Sequence, residues 1–238
     1  MEEKINYMEK RFEEEGFTFS DLQKWQFYTF YEMLIEKNKV MNLTSITEFE
    51  EVIEKHFLDS ISLHRVYDLH RPIQLIDVGT GAGFPSIPLK IAFPEIKVTL
   101  MDSTNKKISF IYEVIEELKL DLIEPIHSRA EELAQNSIYR EKFDLCVSRA
   151  VANLSTLEEY CLPFVRVGGQ FISYKSGEID EELKESKKAC FLLGGKIKEV
   201  HKFDLRDNKR SFVMIEKVKT TPKIYPRKAG TPSKLPLK

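Results

Sequence analysis

Three glycines at alternate positions, Gly79, Gly81 and Gly83, follow Asp77 in the stretch LIDVGTGAGFPSIPLKIA, residues 75–92. Glycines spaced this way let a backbone turn tightly and approach a bound molecule without Cβ interference. An apolar run before them and Pro85 after them, suited to the first helical position, place the turn between a strand and a helix. That is where open parallel sheets bind nucleotides. The dinucleotide fingerprint G-x-G-x-x-G would put its last glycine at position 84, which Phe84 occupies. That glycine permits the close packing that seats a pyrophosphate on the helix N-terminus. A cofactor without a pyrophosphate does not need it. S-adenosylmethionine is such a cofactor, and an acid two positions ahead of G-x-G-x-G is its usual signature.

Other residue types have chemistry to offer at the ends of neighbouring apolar runs. Asp102 closes KVTLMD, 25 residues after Asp77, where an acid would accept hydrogen bonds from ribose hydroxyls. The alternative is a helix cap, although Ser103 or Thr104 could serve for that. Glu131, in HSRAEEL (residues 127–133), could meet an adenine amino group or simply open an exposed helical turn. Arg149 ends the next run, KFDLCVSRA, and its planar fork could hold cofactor, phosphate or base. An ion pair with Asp77 or Glu131 is the structural alternative. His56 and Asp59 lie three apart on one helical face, and either a cleft position or a local hydrogen bond would account for them. Cys146 sits in an apolar run and reads as core. With Cys161 and Cys190 it forms no metal or disulfide pattern, and a reducing cytosol, hence a cytoplasmic protein, is expected.

The elements that must position these groups follow from periodicity. The first seventy residues read as helical, with capping-box patterns at Ser20–Gln23 and Thr47–Glu50 flanking a connecting stretch, NKVMNLTSIT. From Gln74 onward, short apolar runs alternate with helical stretches near 85–93, 104–120, 154–162 and 178–193, which predicts a parallel sheet covered on both faces. Two consecutive strand-like runs, GGKIKEVHKFDL and RSFVMIEKVK, then form a hairpin with residues 206–210 as its loop. A parallel sheet closed by an antiparallel pair is the layout of class I S-adenosylmethionine-dependent methyltransferases: α/β, Rossmann-like, seven-stranded. A dinucleotide fold would continue with another crossover helix. Three units are expected: a helical N-terminal subdomain (1–70), a methyltransferase domain (71–218) and a basic, proline-rich tail (219–238).

The net charge of −2 conceals an asymmetry. Residues 217–238 carry seven Lys or Arg and no acid, so the preceding 216 residues carry −9. Lys217, Lys219, Lys223, Arg227, Lys228, Lys234 and Lys238 could neutralise phosphates on an extended strand, or the tail could be a solvated terminus. No apolar run approaches the roughly 20 residues of a membrane span, and the acidic N-terminus is unlike a signal peptide. Nothing in the sequence requires more than a monomer.

Several segments together resemble one family: NLTSIT (42–47), HFLDSI (56–61), DVGTGAGFPSIPLKI (77–91), SRAEEL (128–133), SRAVANL (148–154) and YPRKAGTPSKLPL (225–237). In this order they are similar to the ribosomal RNA small subunit methyltransferase G family, formerly glucose-inhibited division protein B, over nearly the whole chain. The resemblance implies methyl transfer from S-adenosylmethionine to N7 of one guanine, conventionally guanine 527, of bacterial 16S rRNA. The acceptor would be the rRNA, the small ribosomal subunit or its assembly intermediate. Carried over as cofactor contacts are Gly79, Phe84, Ala130, Glu131 and Arg149, beside Gly81 and Asp102 from the motif itself. Because guanine N7 bears a lone pair and no proton, no general base is expected. The alternatives are a methyltransferase acting on protein or small molecules, a non-catalytic RNA-binding or ribosome-assembly protein retaining the pocket, and a nicotinamide oxidoreductase, against which Phe84 and the terminal hairpin speak.

Overall fold

The computed structural model describes residues 2–149 and 152–237. Ala150 and Val151 of the SRAVANL motif, and Lys238 of the tail, lie outside them. Helices α1 (Glu2–Glu14) and α2 (Asp21–Met41) come first. The Ser20 hydroxyl accepts from the Gln23 N–H while Gln23 accepts from the Ser20 N–H, the reciprocal cap that the sequence predicts. Phe27, Phe30, Tyr31 and Leu34, at helical spacing, form the buried face of α2. Leu22, Trp25 and Val40, apolar residues of the same helix, are exposed. The helix also runs into the expected connecting stretch, to Met41.

A helical run over 49–65 follows: α3 (Phe49–Val52), a π-helical turn (Ile53–Leu58), α4 (Asp59–Ile61) and a 3-10 turn (Ser62–Arg65). It starts on Glu48 without a side-chain cap, so the Thr47–Glu50 box does not form. The π-turn adds a residue to the register and carries Lys55 and His56, with Asp59 directly after it.

The rest alternates as expected: β1 (Gln74–Val78), α5 (Ser86–Ala92), β2 (Lys97–Asp102), α6 (Asn105–Glu117), β3 (Ile123–His127), α7 (Ala130–Leu133), β4 (Phe143–Arg149), α8 (Leu154–Cys161), β5 (Val165–Ser176), α9 (Asp180–Leu192), β6 (Gly195–Leu205) and β7 (Asn208–Lys217). The sheet order is β3-β2-β1-β4-β5-β7-β6. β1 pairs in parallel with β2 on one side and β4 on the other, and β7 lies antiparallel between β5 and β6. The chain reverses its direction of travel across the sheet at the β1–β4 junction, so a crevice opens beyond the carboxyl ends of these strands. The hairpin turn is tighter than expected, because Asn208 to Arg210 already pair with β6.

The N-terminal helices are packed into the same core as the sheet. Phe12, Phe27, Phe30 and Phe57 cluster with Leu75, Val98 and Phe84, whose ring lies 5.3 Å from that of Phe30. Gln23 Nε2 donates to the Ile91 carbonyl at the end of α5, at 2.8 Å. The first helices and the glycine turn are therefore held against each other directly.

The chain beyond β7 folds back over α7 and α8 and ends in a short helix, α10 (Thr231–Lys234). Arg227 forms a forked pair with Glu159, whose side chain is fully buried. The Thr156 hydroxyl donates to the Pro232 carbonyl, and Gln135 Nε2 to that of Pro226. Two of the basic residues expected to face phosphates are thus internal partners. Arg227 is one. Lys217 is the other: it is fully buried at the end of β7 and donates to the carbonyls of Leu162 and Val165 and to the Thr221 hydroxyl. The β-like reach of RSFVMIEK, continuing the strand to position 217, is what carries Lys217 inward. Lys219, Lys223, Lys228 and Lys234 remain exposed.

Candidate cofactor and acceptor site

β1 ends at Val78, and the chain turns through Gly79, Gly81 and Gly83, all in the left-handed region (φ +77°, +62° and +98°). At Gly83 a Cβ would come within 2.5 Å of Ile87 Cγ1 on α5, so the turn needs glycine for packing as well as conformation. The Gly79 and Thr80 N–H groups are spent on the Met101 carbonyl of β2. That of Gly81 reaches the Asp102 carboxylate at 3.0 Å. Pro85, after a cis peptide bond, is the cap of α5 rather than its first helical residue.

Asp102 ties the glycine turn to the segment that leads into α6, whose cap is Thr104. One carboxylate oxygen accepts from Gly81 and the other from the Thr104 N–H at 2.8 Å, one residue before α6. Each oxygen keeps a second lone pair. Asp77 is different: it is fully buried, and its carboxylate oxygens have no hydrogen-bond partner although the Thr80 and Ser86 hydroxyls stand close. Burial pushes its pKa up to about 7, against the pull of those hydroxyls and of Arg149. Asp77 therefore supports the turn from beneath and presents nothing to a ligand.

A cavity of about 710 Å³ opens above this turn, and Gly79, Gly81, Phe84, Asp102, Ala130, Glu131 and Arg149 all line it. The seven positions singled out in the sequence converge on one space, of a size suited to a nucleoside-bearing ligand. Glu131, the candidate for an exposed helical turn, is buried, and one of its oxygens accepts from the Gly230 N–H at 2.8 Å. Through this bond the C-terminal segment becomes a wall: Gly230, Ser233 and Lys234 line the same cavity. Charge and proline content alone pointed that segment outward; its bond to Glu131 had no signal in the sequence.

Arg149 pairs with neither Asp77 nor Glu131. Its guanidinium donates to Asp59 at 2.8 Å, to the Lys55 carbonyl at 3.1 Å and to His56 Nδ1 at 3.1 Å. Arg210 on β7 holds the other oxygen of Asp59 at 2.7 Å. Since a guanidinium only donates, His56 Nδ1 must accept, and the ring proton sits on Nε2, which faces the Thr44 hydroxyl at 2.8 Å. Burial, reinforced by Arg149, lowers the His56 pKa to about 3, so the imidazole is neutral. Its ring stacks on Phe84 with centroids 4.5 Å apart and planes at 24°, and Arg149 lies over the same Phe84 ring at 5.1 Å. His56 and Asp59, ambiguous in the sequence, thus belong to the cleft wall; the π-turn that aims them there had no legible signal.

A second cavity, of about 440 Å³, lies on the far side of this wall and shares His56 and Arg149 with the first. The three cysteines are buried, unbridged and line neither cavity. Among the described residues no group of three or more His, Cys, Asp or Glu is placed to hold a metal ion, and no helix is long and apolar enough to cross a membrane.

A seven-stranded sheet in this order, with a glycine-turn cavity at its switch point, defines a class I methyltransferase fold. Solved structures agree at the level of fold. M. jannaschii TYW2 in complex with AdoMet matches with a TM-score of 0.56 and 14% identity, over 73% of this chain and 80% of that one. A SAM dependent methyltransferase from Aquifex aeolicus matches with a TM-score of 0.53 and 17% identity, over 69% and 92%. The model of the family GidB, rRNA small subunit methyltransferase G, matches residues 23–213. Proteins named ribosomal RNA small subunit methyltransferase G are similar along nearly their whole length. That of Lachnoclostridium phytofermentans is 54% identical (93% of each chain covered), that of Brevibacillus brevis 50% (94% of each) and that of Staphylococcus aureus 47% (98% of each). The chain belongs to the rRNA small subunit methyltransferase G family.

Proposed function

We propose that the chain is an enzyme that methylates N7 of a single guanine in bacterial 16S rRNA, conventionally guanine 527, using S-adenosylmethionine. The observation that carries the cofactor assignment is the convergence of the seven residues on one cavity at the carboxyl ends of the central strands. Family membership and the names of the relatives carry the RNA. The cavity fits the cofactor: the left-handed glycine turn leaves room for the amino-acid end, Asp102 has lone pairs for the ribose hydroxyls, and Ala130 with Glu131 bounds the adenine end.

Bound there, S-adenosylmethionine would supply a methyl group on a positively charged sulfur, to which the N7 lone pair would form the new C–N bond as the C–S bond breaks and leaves its electrons on sulfur. Guanine gains the positive charge, and no proton moves. The protein's contribution is accordingly positional, an effect that can supply on the order of 7–11 kcal/mol. The neutral His56 and the Arg149 guanidinium, held by Asp59, the Lys55 carbonyl and His56, suit this role. Exposed Lys219, Lys223 and Lys228 suit contacts to phosphate.

Titration calorimetry with S-adenosylmethionine and with NAD tests the cavity, and incubation of labelled cofactor with small subunits, naked 16S rRNA and bulk protein tests the acceptor. Binding of S-adenosylmethionine but not NAD, with label in RNA, is expected. NAD binding alone, or label only in protein, would overturn the reading.

A further inference from the structure

The first cavity accounts for a cofactor, and the base that receives the methyl group needs a seat beside its reacting end. The wall at its glycine-turn end, His56 and Arg149, is also a wall of the second cavity. If adenine and ribose occupy the Glu131 and Asp102 end, the reacting end faces this shared wall. An acceptor must then come from beyond it.

We propose that the second cavity receives the target guanine, turned out of its stack, and that Lys175 selects guanine by donating to its O6; this rests on the guanine-N7 reading above. Three features support it. The volume of about 440 Å³ suits a single base with its sugar. Aromatic surface is present: Phe203 and Phe212 stack on each other with centroids 5.0 Å apart, and both line the cavity with Tyr174. Extruded bases are held against such faces. Charge is the third. Lys55, Arg149, Lys175 and Arg210 line the cavity with Asp59 and Glu182, and with Lys55 paired to Glu51 one positive charge is left in surplus for the phosphates beside an extruded nucleotide.

Lys175 follows Tyr174, the residue of β5 that pairs across the sheet with Arg149, so it stands beside the shared wall. Its ammonium is mostly buried and donates to Glu182 at 2.6 Å and to the Ala152 carbonyl at 3.1 Å. An ammonium has three donors, and those two bonds fix the direction of the third. N7 and O6 share one edge of guanine, so a donor placed for O6 also orients N7. Adenine presents an amino group at the same place and would set donor against donor. The surrounding charges do not blur this: Asp59 is held by Arg149 and Arg210, and His56 is neutral.

The test uses small subunits reconstituted with guanosine or with 2-aminopurine riboside, which keeps N7 and lacks O6, at the nucleotide that the wild-type protein labels. Methyl transfer and equilibrium particle binding are both measured, with S-adenosylmethionine affinity as the control for folding. The wild type should prefer guanosine at least tenfold in both readouts. Lys175→Met should lose most of that preference while holding cofactor affinity within about twofold, and Lys175→Arg should keep it. Full preference in Lys175→Met, or none in the wild type, would overturn the assignment of Lys175. A wild-type protein that labels no guanosine at all would instead overturn the functional reading on which the inference stands.

Discussion

His56 and Arg149 are joined by a hydrogen bond of 3.1 Å in which the imidazole is the acceptor, and each also contacts the face of Phe84. One comes from the helical N-terminus and the other from the end of β4. The shared wall between the two cavities is therefore also the junction between the first helices and the sheet. In the sequence Phe84 marked a turn with no need of a pyrophosphate; in the fold it is the surface on which this junction rests.

The buried imidazole gives stability a defined pH dependence. Its pKa falls from 6.5 unfolded to about 3 folded, so between these values the unfolded chain binds more protons and stability drops as pH falls. At most this amounts to about 1.4 kcal/mol per pH unit. His56→Gln removes the titration. The stability difference between wild type and variant, measured by urea unfolding, should shrink as pH is lowered from 7 to 5.

Asp77 should act with the opposite sign. Its pKa rises from 3.8 to about 7 on folding, so the folded chain holds the extra proton and stability falls as pH rises from about 4 to 7, with the full penalty present above 7. Asp77→Asn should therefore be relatively more stable than wild type at pH 8 than at pH 5. A variant whose relative stability is independent of pH would show that the carboxyl is not protonated in the fold.

Removing residues 227–238 should weaken S-adenosylmethionine binding, by about tenfold or more, because Gly230, Ser233 and Lys234 form one wall of the cavity. Arg227→Ala should do the same in milder form and cost on the order of 3 kcal/mol, since it leaves Glu159 buried without its charge partner and with only the backbone N–H of residue 227. Calorimetry and denaturant unfolding check both. Unchanged cofactor affinity in the truncated protein would mean that the segment only covers the cavity.

The exposed and buried lysines near the C-terminus should separate in salt dependence. Lys219→Ala, Lys223→Ala and Lys228→Ala should each lower the slope of log affinity for RNA against log salt by about 0.7–0.9. Lys217→Met should leave that slope unchanged and instead destabilise the protein, because the Leu162 and Val165 carbonyls lose their donor. Filter binding over a range of salt concentrations reads the difference.

What the sequence made legible was periodic or local. Alternating apolar runs gave the sheet and its closing hairpin, and the Ser20–Gln23 box gave the start of α2. The glycine spacing with Asp102 gave the cavity. What stayed hidden depends on long-range contacts: the π-turn that aims His56 and Asp59, the burial of Lys217, and the bond from Gly230 to Glu131, 99 residues apart. Composition describes a basic, proline-rich segment in the same way whether it reaches into solvent or is pinned to a buried glutamate.

The most direct test of the central claim is nucleoside analysis of acceptor RNA. Small ribosomal subunits from cells lacking the gene are incubated with the protein and methyl-labelled S-adenosylmethionine, and their RNA is digested and resolved by mass spectrometry. The account predicts label in 7-methylguanosine, at one position per particle, and its loss in Gly79→Asp, which puts a bulky anion on the cavity floor at a left-handed position. Label in any other nucleoside, or in none, would contradict it.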